Sequence, residues 1–334
     1  MIPPHELAAH LQRNISATLA EDIHTGDLTA QLLSGDTVVN AQVITREDAV
    51  LCGTQWFDGC FLPQDPNCKI NWLAKDGDVI KAGQLLCEIR GKARALFTAE
   101  RGALNLLQTL SGTATKTKQY VDAVAGIHVK IMDTRKTLPG LRHAQKYAVR
   151  VGGGHNQRFG LYDGILIKEN HIAAAGGIKA VLVKAFQLAQ LSPHSPNTPS
   201  PLVGEGWGEW DSEYSTLSLA LPHQGGGGAL RENSQFKFTD KYYRINSVQI
   251  EVENLTQLEE ALSAGAKLIL LDNFDLAGLR AAVQLTAKRA ELEASGGITL
   301  ATLREVALTG VDRISIGTLT KDLHAVDLSM RILP

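Results

Sequence analysis

Residues that could carry chemistry recur along this chain, each directly after a short apolar run. Lys168, Glu251 and Asp272 follow or close three such runs, and the loops 295–297 and 316–318 follow two more. A lysine and two carboxylates can serve acid–base chemistry or a cation site. Glycine loops can bind phosphate through backbone N–H groups. The set therefore predicts an enzyme that handles an anionic substrate.

The spacing of these residues indicates the fold that must position them. From Glu251 onward they lie roughly 20 to 23 positions apart, about one strand, one helix and two loops. Short runs of Ile, Leu and Val separated by helix-like stretches are typical of βαβ units with a parallel sheet. Because a β/α barrel places its chemistry at the carboxyl ends of its strands, we predict an α/β barrel enzyme.

The two carboxylates predict a metal site. Glu251 and Asp272 end adjacent predicted strands, so their side chains are expected to converge at the barrel mouth. Oxygen ligands beside substrate phosphates suit Mg²⁺, which keeps part of its water shell. Two alternatives remain open at this point: a general acid–base pair, and a salt bridge with Lys168.

Two stretches are basic out of proportion to the rest of the chain. The first, 133–142, contains Thr134, Arg135 and Lys136, and the second, 152–158, joins a glycine turn to Arg158. Arginine suits planar carboxylates, whereas lysine suits phosphate as a point charge. With two glycine loops after the last barrel strands, where barrels commonly bind phosphate, they predict a polyanionic substrate.

The rhythm of the sequence divides the chain into two domains. Residues 1–112 are predicted to form an α+β domain with antiparallel hairpins, and residues 113–320 the barrel. Alternation over 324–334 indicates a strand that returns to the N-terminal domain. A predicted helix, Ala99–Leu110, places Arg101 opposite its leucine face, where it could serve something other than its own core.

Residues 191–243 interrupt the barrel where a loop of two to about six residues is usual. Their density of Pro, Ser and Gly predicts a disordered insertion. The alternative is a binding loop, suggested by the tryptophans and tyrosines within this segment.

Composition limits the classes of protein that fit. The formal net charge of −2 gives no pull toward nucleic acid or an anionic membrane. The sequence shows neither a secretion signal nor a stretch that spans a bilayer, so we expect a cytoplasmic protein. Four cysteines without a Cys-x-x-Cys pair are interpreted as reduced, partly buried thiols.

Several short motifs, in order along the chain, together resemble the quinolinate phosphoribosyltransferase family. The motifs are Glu100–Asn105, Asp133–Thr137, Gly152–Gly154, Leu166–His171, Ile250–Asn254, Leu271–Phe274 and Ala294–Ile298. An ordered set of this kind is far more specific than any single motif.

The resemblance implies a type II phosphoribosyltransferase fold, with an N-terminal α+β domain joined to an open, seven-stranded α/β barrel. It implies a homodimer that binds quinolinate and phosphoribosyl pyrophosphate with Mg²⁺. The products are nicotinate mononucleotide, CO₂ and pyrophosphate, in the synthesis of NAD.

The resemblance also implies roles for individual residues. Arg135, Arg158 and Lys168 would hold the two carboxylates of quinolinate, and Arg101 would come from the partner subunit. Lys168, Glu251 and Asp272 would be catalytic, the two acids also binding the metal. The full substrate-binding set is Arg101, Thr134, Arg135, Lys136, Arg158, Lys168, Ser295, Gly296, Gly297, Ile316, Gly317 and Thr318.

One position departs from the family pattern. This chain has Gln157 where many relatives have histidine, so a mechanism that needs an imidazole there fails unless His155 replaces it. The reaction does not require one, since positioning and electrostatic stabilisation supply much of the rate.

Two other functions fit parts of the pattern. Lys168 could be the Schiff-base lysine of a barrel lyase, because such lysines also lie at strand ends. Alternatively, the chain could be a non-catalytic phosphoribosyl-binding protein disabled by its insertion.

Overall fold

The first part of the chain forms an antiparallel sheet with three helices packed beside it. The computed structural model describes residues 4–191 and 247–333, so nearly all of the predicted insertion lies outside the described residues. The elements, in chain order, are α1 (Pro4–Ile23), β1 (Val38–Thr45), β2 (Ala49–Val50), α2 (Thr54–Phe61), β3 (Lys69–Trp72), β4 (Val79–Ile80), β5 (Leu85–Lys92) and α3 (Ala93–Ala123).

Strand β1 shows how this sheet obtains its core. Ala41 and Val43 are fully buried, whereas Asn40 and Gln42, which alternate with them, point to the other face. This alternation is the period of a strand with one covered face. The buried face packs on an aromatic cluster that includes Trp56 and Phe57 of α2.

Helix α3 is longer than the predicted Ala99–Leu110, because its polar second half is also buried. Thr113 donates its hydroxyl to the Thr109 carbonyl at 3.1 Å, and Thr117 donates to Thr113 at 2.8 Å. Threonines that bond to the carbonyl four residues earlier can enter a core without an unpaired hydroxyl. The helix thereby contributes to the cores of both domains, through Leu107 in one and Tyr120 in the other.

The second domain is an open α/β barrel, as predicted. Its strands are β6 (Lys130–Met132), β7 (Ile165–Ile167), β8 (Val248–Val252), β9 (Leu268–Asp272), β10 (Glu291–Ser295) and β11 (Arg313–Ser315), and all neighbours are parallel, in the order β6-β11-β10-β9-β8-β7. Its helices are α4 (Arg142–Val151), α5 (Glu169–Ala175), α6 (Ile178–Leu191), α7 (Leu255–Ser263), α8 (Leu276–Thr286), α9 (Leu300–Ala307) and α10 (Thr318–Lys321).

Alternation along the barrel strands separates an apolar face from a polar one. Ile250, Ile269 and Leu292 pack with the helices in one hydrophobic cluster. Gln249 and Glu293, their neighbours on β8 and β10, face the interior by the two-residue period of a strand. The barrel interior therefore carries the polar residues.

The sheet has six strands within the described residues, where seven were expected. The seventh position is held by a single parallel bridge between His155 and Met132. The His155 N–H donates to the Ile131 carbonyl at 2.8 Å, and the Asp133 N–H donates to His155 at 3.0 Å. The chain leaves the sheet at once, because Asn156 and Gln157 turn toward Asp133 instead.

The end of the chain returns to the N-terminal domain. Strand β12 (Leu328–Ile332) pairs antiparallel with β1, from Ala41 opposite Ile332 to Thr45 opposite Leu328. A second link between the domains is a buried carboxyl, Asp76, which accepts from the hydroxyl of Tyr147 in α4 at 2.8 Å.

Two further expectations concerned the state of the cysteines and segments long enough to span a bilayer. All four cysteines are free and buried. No single helix in the described parts of the chain combines the length and hydropathy needed to cross a bilayer; α5 and most of α6 reach that level only together, across a 96° bend.

Asp58 makes the stability of the N-terminal domain depend on pH. Burial raises its pKa from 3.8 to about 7, although the Trp72 indole N–H donates to it at 2.9 Å. Because the folded-state pKa exceeds the unfolded value, the folded chain holds an extra proton between those two values. Stability therefore falls as pH rises through that window.

We expect Asp58→Asn to raise the free energy of unfolding at pH 8 by up to about 4 kcal/mol, since the pKa is raised from 3.8 to about 7 and each pKa unit corresponds to about 1.4 kcal/mol. Asparagine keeps the acceptor for Trp72 but carries no charge. The gain should be much smaller at pH 4, where the carboxyl is protonated in the fold. Urea denaturation at both pH values measures it, with the exposed Asp36→Asn as control. Equal gains at the two pH values would contradict this prediction.

Candidate active site

The carboxyl ends of four neighbouring strands bring the predicted acidic and glycine residues together. Lys168 follows β7, Glu251 is the fourth residue of β8, and Asp272 and Ser295 are the last residues of β9 and β10. Asp272 and Ser295 lie opposite each other in the register. Because parallel strands end at the same edge, these side chains share one mouth of the barrel.

Lys168 and Glu251 form an ion pair across this mouth. The ammonium Nζ lies 3.1 Å from Oε2 and 3.4 Å from Oε1 of the carboxylate. The lysine side chain is 46% exposed and the glutamate 11%. Burial raises the pKa of Glu251, Lys168 opposes this shift, and the charges of Asp272 and Glu169 add to it. A cation bound beside the two acids would relieve their repulsion.

Two residues with left-handed backbone conformations, one after β9 and one after β10, shape the loops beside Asp272. Asn273 has φ 58° and donates its amide to Asp272 Oδ2 at 3.0 Å. Gly296 has φ 104°, and a Cβ built there would lie 2.0 Å from Asn273 Oδ1. Only glycine fits at this position. The close approach holds the glycine loop 295–297 against the acidic pair.

Arg135 and Arg158 lie close enough for the charge of one to act on the other. The Nε of Arg135 is buried and has no hydrogen-bond partner among the described residues. Arg158 donates to the Gly164 carbonyl at 3.0 Å, and burial together with the charge of Arg135 lowers its pKa. Two guanidinium groups that repel each other, one with an orphaned N–H, fit a planar carboxylate ligand.

The second glycine loop lies against the basic stretch that follows β6. A Cβ built on Gly317 would be 3.0 Å from Cδ of Lys136 and 3.7 Å from Oγ1 of Thr134. The Thr318 hydroxyl is buried without a partner in the described structure. Ile316 differs from the others, because its side chain is in the barrel core and its N–H bonds to Met132. Thr134, Lys136, Gly317 and Thr318 thus form an anion-binding corner without it.

A buried ion pair supports both basic stretches from behind. Asp133 and Lys146 are fully buried, and the lysine donates to Oδ1 of Asp133 and, at 2.9 Å, to the carbonyl of Gln157. Asn156 donates to the other carboxylate oxygen at 2.6 Å, and the Gln157 N–H to Oδ1 at 2.8 Å. Burial raises the pKa of Asp133 and lowers that of Lys146, and the pairing opposes both shifts.

Sequence reasoning missed Lys146 and Asn156. Lys146 lies in α4 between Ala144 and Ala148, both fully buried. The sequence feature that could have indicated a buried lysine is its position on a helix face that otherwise carries alanines. Its partner, Asp133, is far enough away in sequence that only the fold reveals the pair.

Two residues lie apart from this cluster. Arg101 is exposed on α3, and no hydrogen bond or ion pair joins it to the barrel mouth within the described part of one chain. His155 stands beside Arg150, with 3.1 Å between Nδ1 and Nη1. Burial and the charges of Arg150, Lys130 and Arg313 lower its pKa to about 4. The hydrogen bond of its ring is with Arg150 of α4 and not with the residues of the site, so His155 does not replace an imidazole at 157.

The surroundings of Lys168 argue against the Schiff-base alternative. A Schiff-base lysine needs a desolvated amine. Lys168 is half-exposed and ion-paired with Glu251, which is the opposite environment. The arrangement favours binding of an anion by the ammonium group.

Two family models match this chain. Residues 27–111 match the family described as quinolinate phosphoribosyl transferase, N-terminal domain, and residues 113–194 and 232–331 match its C-terminal domain. The matched segments leave out 195–231, within the predicted insertion. The resemblance inferred from the motifs is confirmed.

Individual relatives match this chain over nearly their full length. The chain is 36% identical to a probable nicotinate-nucleotide pyrophosphorylase (carboxylating) of Bacillus subtilis, over 96% of this chain and 93% of that protein. It is also 36% identical to the Mycobacterium leprae nicotinate-nucleotide pyrophosphorylase (carboxylating), over 95% of each chain. The solved nicotinate-nucleotide pyrophosphorylase of Francisella tularensis matches with a TM-score of 0.78 and 36% identity, covering 100% of this chain and 98% of that one.

The buried pair behind the basic stretches gives a stability prediction. We expect Lys146→Met to lower the free energy of unfolding by about 3 to 5 kcal/mol, because it leaves the Asp133 carboxylate buried without a counter-charge. Adding Asp133→Asn removes that charge, so the double variant should lose clearly less than the sum of the two single losses. Denaturant titration of all four proteins completes the cycle. Strictly additive losses would mean that the two groups do not interact.

Proposed function

The chain belongs to the quinolinate phosphoribosyltransferase family, and we propose that it transfers the phosphoribosyl group of phosphoribosyl pyrophosphate to quinolinate with loss of CO₂. The products are nicotinate mononucleotide and pyrophosphate, which makes the chain a pentosyltransferase of NAD biosynthesis. The relatives named above carry this activity in their names at 36% identity.

One observation carries the proposal at the level of the site. We infer that the Arg135–Arg158 pair lies beside the Glu251–Asp272 pair, because Arg135 follows the carboxyl end of β6, and its buried Nε has no partner among the described residues. Quinolinate offers two adjacent carboxylates to the cationic side. Phosphoribosyl pyrophosphate offers hydroxyls, phosphates and a bound cation to the other side. The two halves of the site match the two substrates.

The individual roles follow from this division. Arg135, Arg158 and Lys168 hold the carboxylates of quinolinate. Loop 295–297 and the corner formed by Thr134, Lys136, Gly317 and Thr318 hold phosphate through N–H groups and one ammonium. Glu251 and Asp272 take the ribose hydroxyls and the cation.

The acidic pair fits Mg²⁺ by its donor set. Two carboxylates from neighbouring strands offer only oxygen, and burial, with a smaller contribution from the charge of Asp272, raises the pKa of Glu251. Mg²⁺ commonly binds one or two carboxylates together with substrate phosphates and water. When bound, the ion neutralises charge on the leaving pyrophosphate.

The reaction needs orientation more than acid–base help. The bond between the ribose C1 and the pyrophosphate oxygen breaks, and the pyridine nitrogen of quinolinate bonds to C1. The bond from C2 of the ring to its carboxylate then breaks, and CO₂ leaves. The electron pair stays on C2 beside the cationic nitrogen until a proton from solvent replaces it. The arginines hold the nitrogen in line, and the carboxylates face the developing positive charge on the ribose.

The direct test is release of labelled CO₂ from quinolinate that carries the label in its 2-carboxylate, dependent on phosphoribosyl pyrophosphate and Mg²⁺. Release without phosphoribosyl pyrophosphate, or no release at all, would contradict the proposed activity. A non-catalytic binding protein would retain both substrates unchanged.

We expect Asp272→Asn to preserve the fold and lower kcat about 10²- to 10³-fold, since it removes one charge that faces the reacting ribose. The Asp272 carboxylate accepts from Asn273, and asparagine retains an acceptor there. Asp275→Asn is the matched control, because it makes the same change three residues later, where asparagine still caps α8. Full activity of Asp272→Asn across Mg²⁺ concentrations would remove Asp272 from the site.

We further propose that the active protein is a homodimer in which Arg101 serves the partner's site. Its exposure on α3, apart from the barrel mouth of its own chain, supports this assignment. Arg101→Ala and Lys168→Ala homodimers should each be nearly inactive. A mixed dimer has one site with both lesions and one with neither, by the symmetry of a two-fold interface.

Mixing the two inactive proteins should therefore restore up to about half of the wild-type activity per heterodimer. Subunit exchange is verified with two affinity tags, and the activity of the doubly tagged fraction is measured. An inactive heterodimer would place Arg101 in its own chain's site. An active Arg101→Ala homodimer would place it outside any site.

A further inference from the structure

A fully buried carboxylate lies inside the barrel and has no part in the roles given so far. Glu293 is the middle residue of β10 and is 0% exposed. Two side-chain amides donate to it from opposite directions. Gln157 Nε2 bonds to Oε1, and Gln249 Nε2 bonds to Oε2 at 3.0 Å. We refer to Gln157, Gln249 and Glu293 as the support layer.

The support layer lies directly beneath the residues of the site. Gln249 precedes Glu251 by two positions on β8, and Glu293 precedes Ser295 by two on β10. Residues two apart on a strand face the same side, so each of these pairs points into the barrel. Gln157 is bonded to Arg158 through one peptide. One carboxylate thus connects the arginine segment, the acidic strand and the first glycine loop.

We propose that Glu293 is a positioning residue, which fixes Arg158 and Glu251 relative to each other through Gln157 and Gln249. The inference rests on the proposed function, since it assigns Arg158 to quinolinate and Glu251 to the ribosyl substrate. Glu293 touches neither substrate in this scheme.

The contacts of Gln157 show why its position depends on Glu293. Its N–H donates to Asp133 at 2.8 Å, and its carbonyl accepts from Lys146 at 2.9 Å. These bonds hold the backbone from the outer side, and Glu293 holds the side chain from the barrel interior. The segment has left the sheet at His155, so no strand pairing holds it here. Without the inner bond, Arg158 loses one of its two anchors.

The chemistry of the donors suits this purpose. Amide groups do not titrate, so the two glutamines remain hydrogen-bond donors at every working pH. Burial raises the pKa of Glu293, while Gln249, Arg313, Ser315 and Gln157 oppose the shift. A buried carboxylate with satisfied oxygens is strongly fixed, because any movement breaks its hydrogen bonds and leaves its oxygens buried without partners.

The test compares three support-layer variants with one control. Gln157→Met and Gln249→Met each remove one donor at similar volume, and Glu293→Gln removes the charge at similar shape. Thr309→Val is the control, since this buried hydroxyl bonds to the Val306 carbonyl before β11, at the opposite end of the barrel. The measurements are steady-state KM and kcat for both substrates, a calorimetric Kd for phthalate, and Tm. Phthalate is an unreactive dicarboxylate without the ring nitrogen.

We expect each amide variant to raise the KM for one substrate and to leave the KM for the other nearly unchanged. Gln157→Met should raise the KM for quinolinate and the Kd for phthalate about tenfold, and change the KM for phosphoribosyl pyrophosphate less than about twofold. Gln249→Met should raise the KM for phosphoribosyl pyrophosphate about tenfold and change the KM for quinolinate less than about twofold. Glu293→Gln should raise the KM values for both substrates. These changes correspond to displacements well below 1 Å, since a misplacement of about 1 Å can cost about 10²-fold.

Proportional changes of both constants in the two amide variants, or changes no larger than those of Thr309→Val, would overturn the proposal. In either case the layer would only stabilise the fold. If Glu293→Gln does not fold, the two amide variants decide the question. A wild-type protein that releases no CO₂ from quinolinate would instead refute the proposed function, which separates the two failures.

Discussion

The buried ion pair of Asp133 and Lys146 is the interaction on which the acceptor side of the site depends. Asp133 directly follows the first barrel strand, and Lys146 belongs to α4. Together they bond the backbone or side chain of Asn156 and Gln157. Neither group could be buried alone, because the cost of desolvating an isolated charge is several kcal/mol. Both loops that carry arginine must therefore assemble around the pair at the same time.

The rest of the site shows the opposite arrangement, with charges left only partly satisfied. Arg135 has an orphaned N–H, Arg158 lies near a second cation, and Glu251 lies near a second carboxylate. Such groups reduce the stability of the free protein, and they gain their partners when substrates bind. The fixed pair behind the loops keeps these groups in place despite their mutual repulsion. The rigid ion pair therefore supports a binding face whose charges repel one another until substrates bind.

Strand spacing was enough to predict the barrel and the convergence of Glu251 and Asp272. Parallel strands end at one edge, so residues at equivalent positions meet there whatever the details of packing. The support of the site could not be predicted in the same way. Glu293 was visible as a charge between Leu292 and Ala294, and its parity with Ser295 places it in the barrel, but its two amide partners lie on distant segments. The missing seventh strand had a similar cause, since side-chain bonds to Asp133 take Gln157 away from the sheet.

The pairing of the last strand with the first has a consequence for how the chain is made. Strand β1 is bonded to β5 on one side, and its other side is completed by β12, roughly 290 residues later. A ribosome adds about 5 to 20 residues per second, so β1 leaves synthesis with a bare edge for on the order of 15 to 60 s. An unpaired edge is a template for other nascent chains. A chain that stops before β12 would keep this edge unpaired, and we expect such a product to aggregate more readily than the full-length chain.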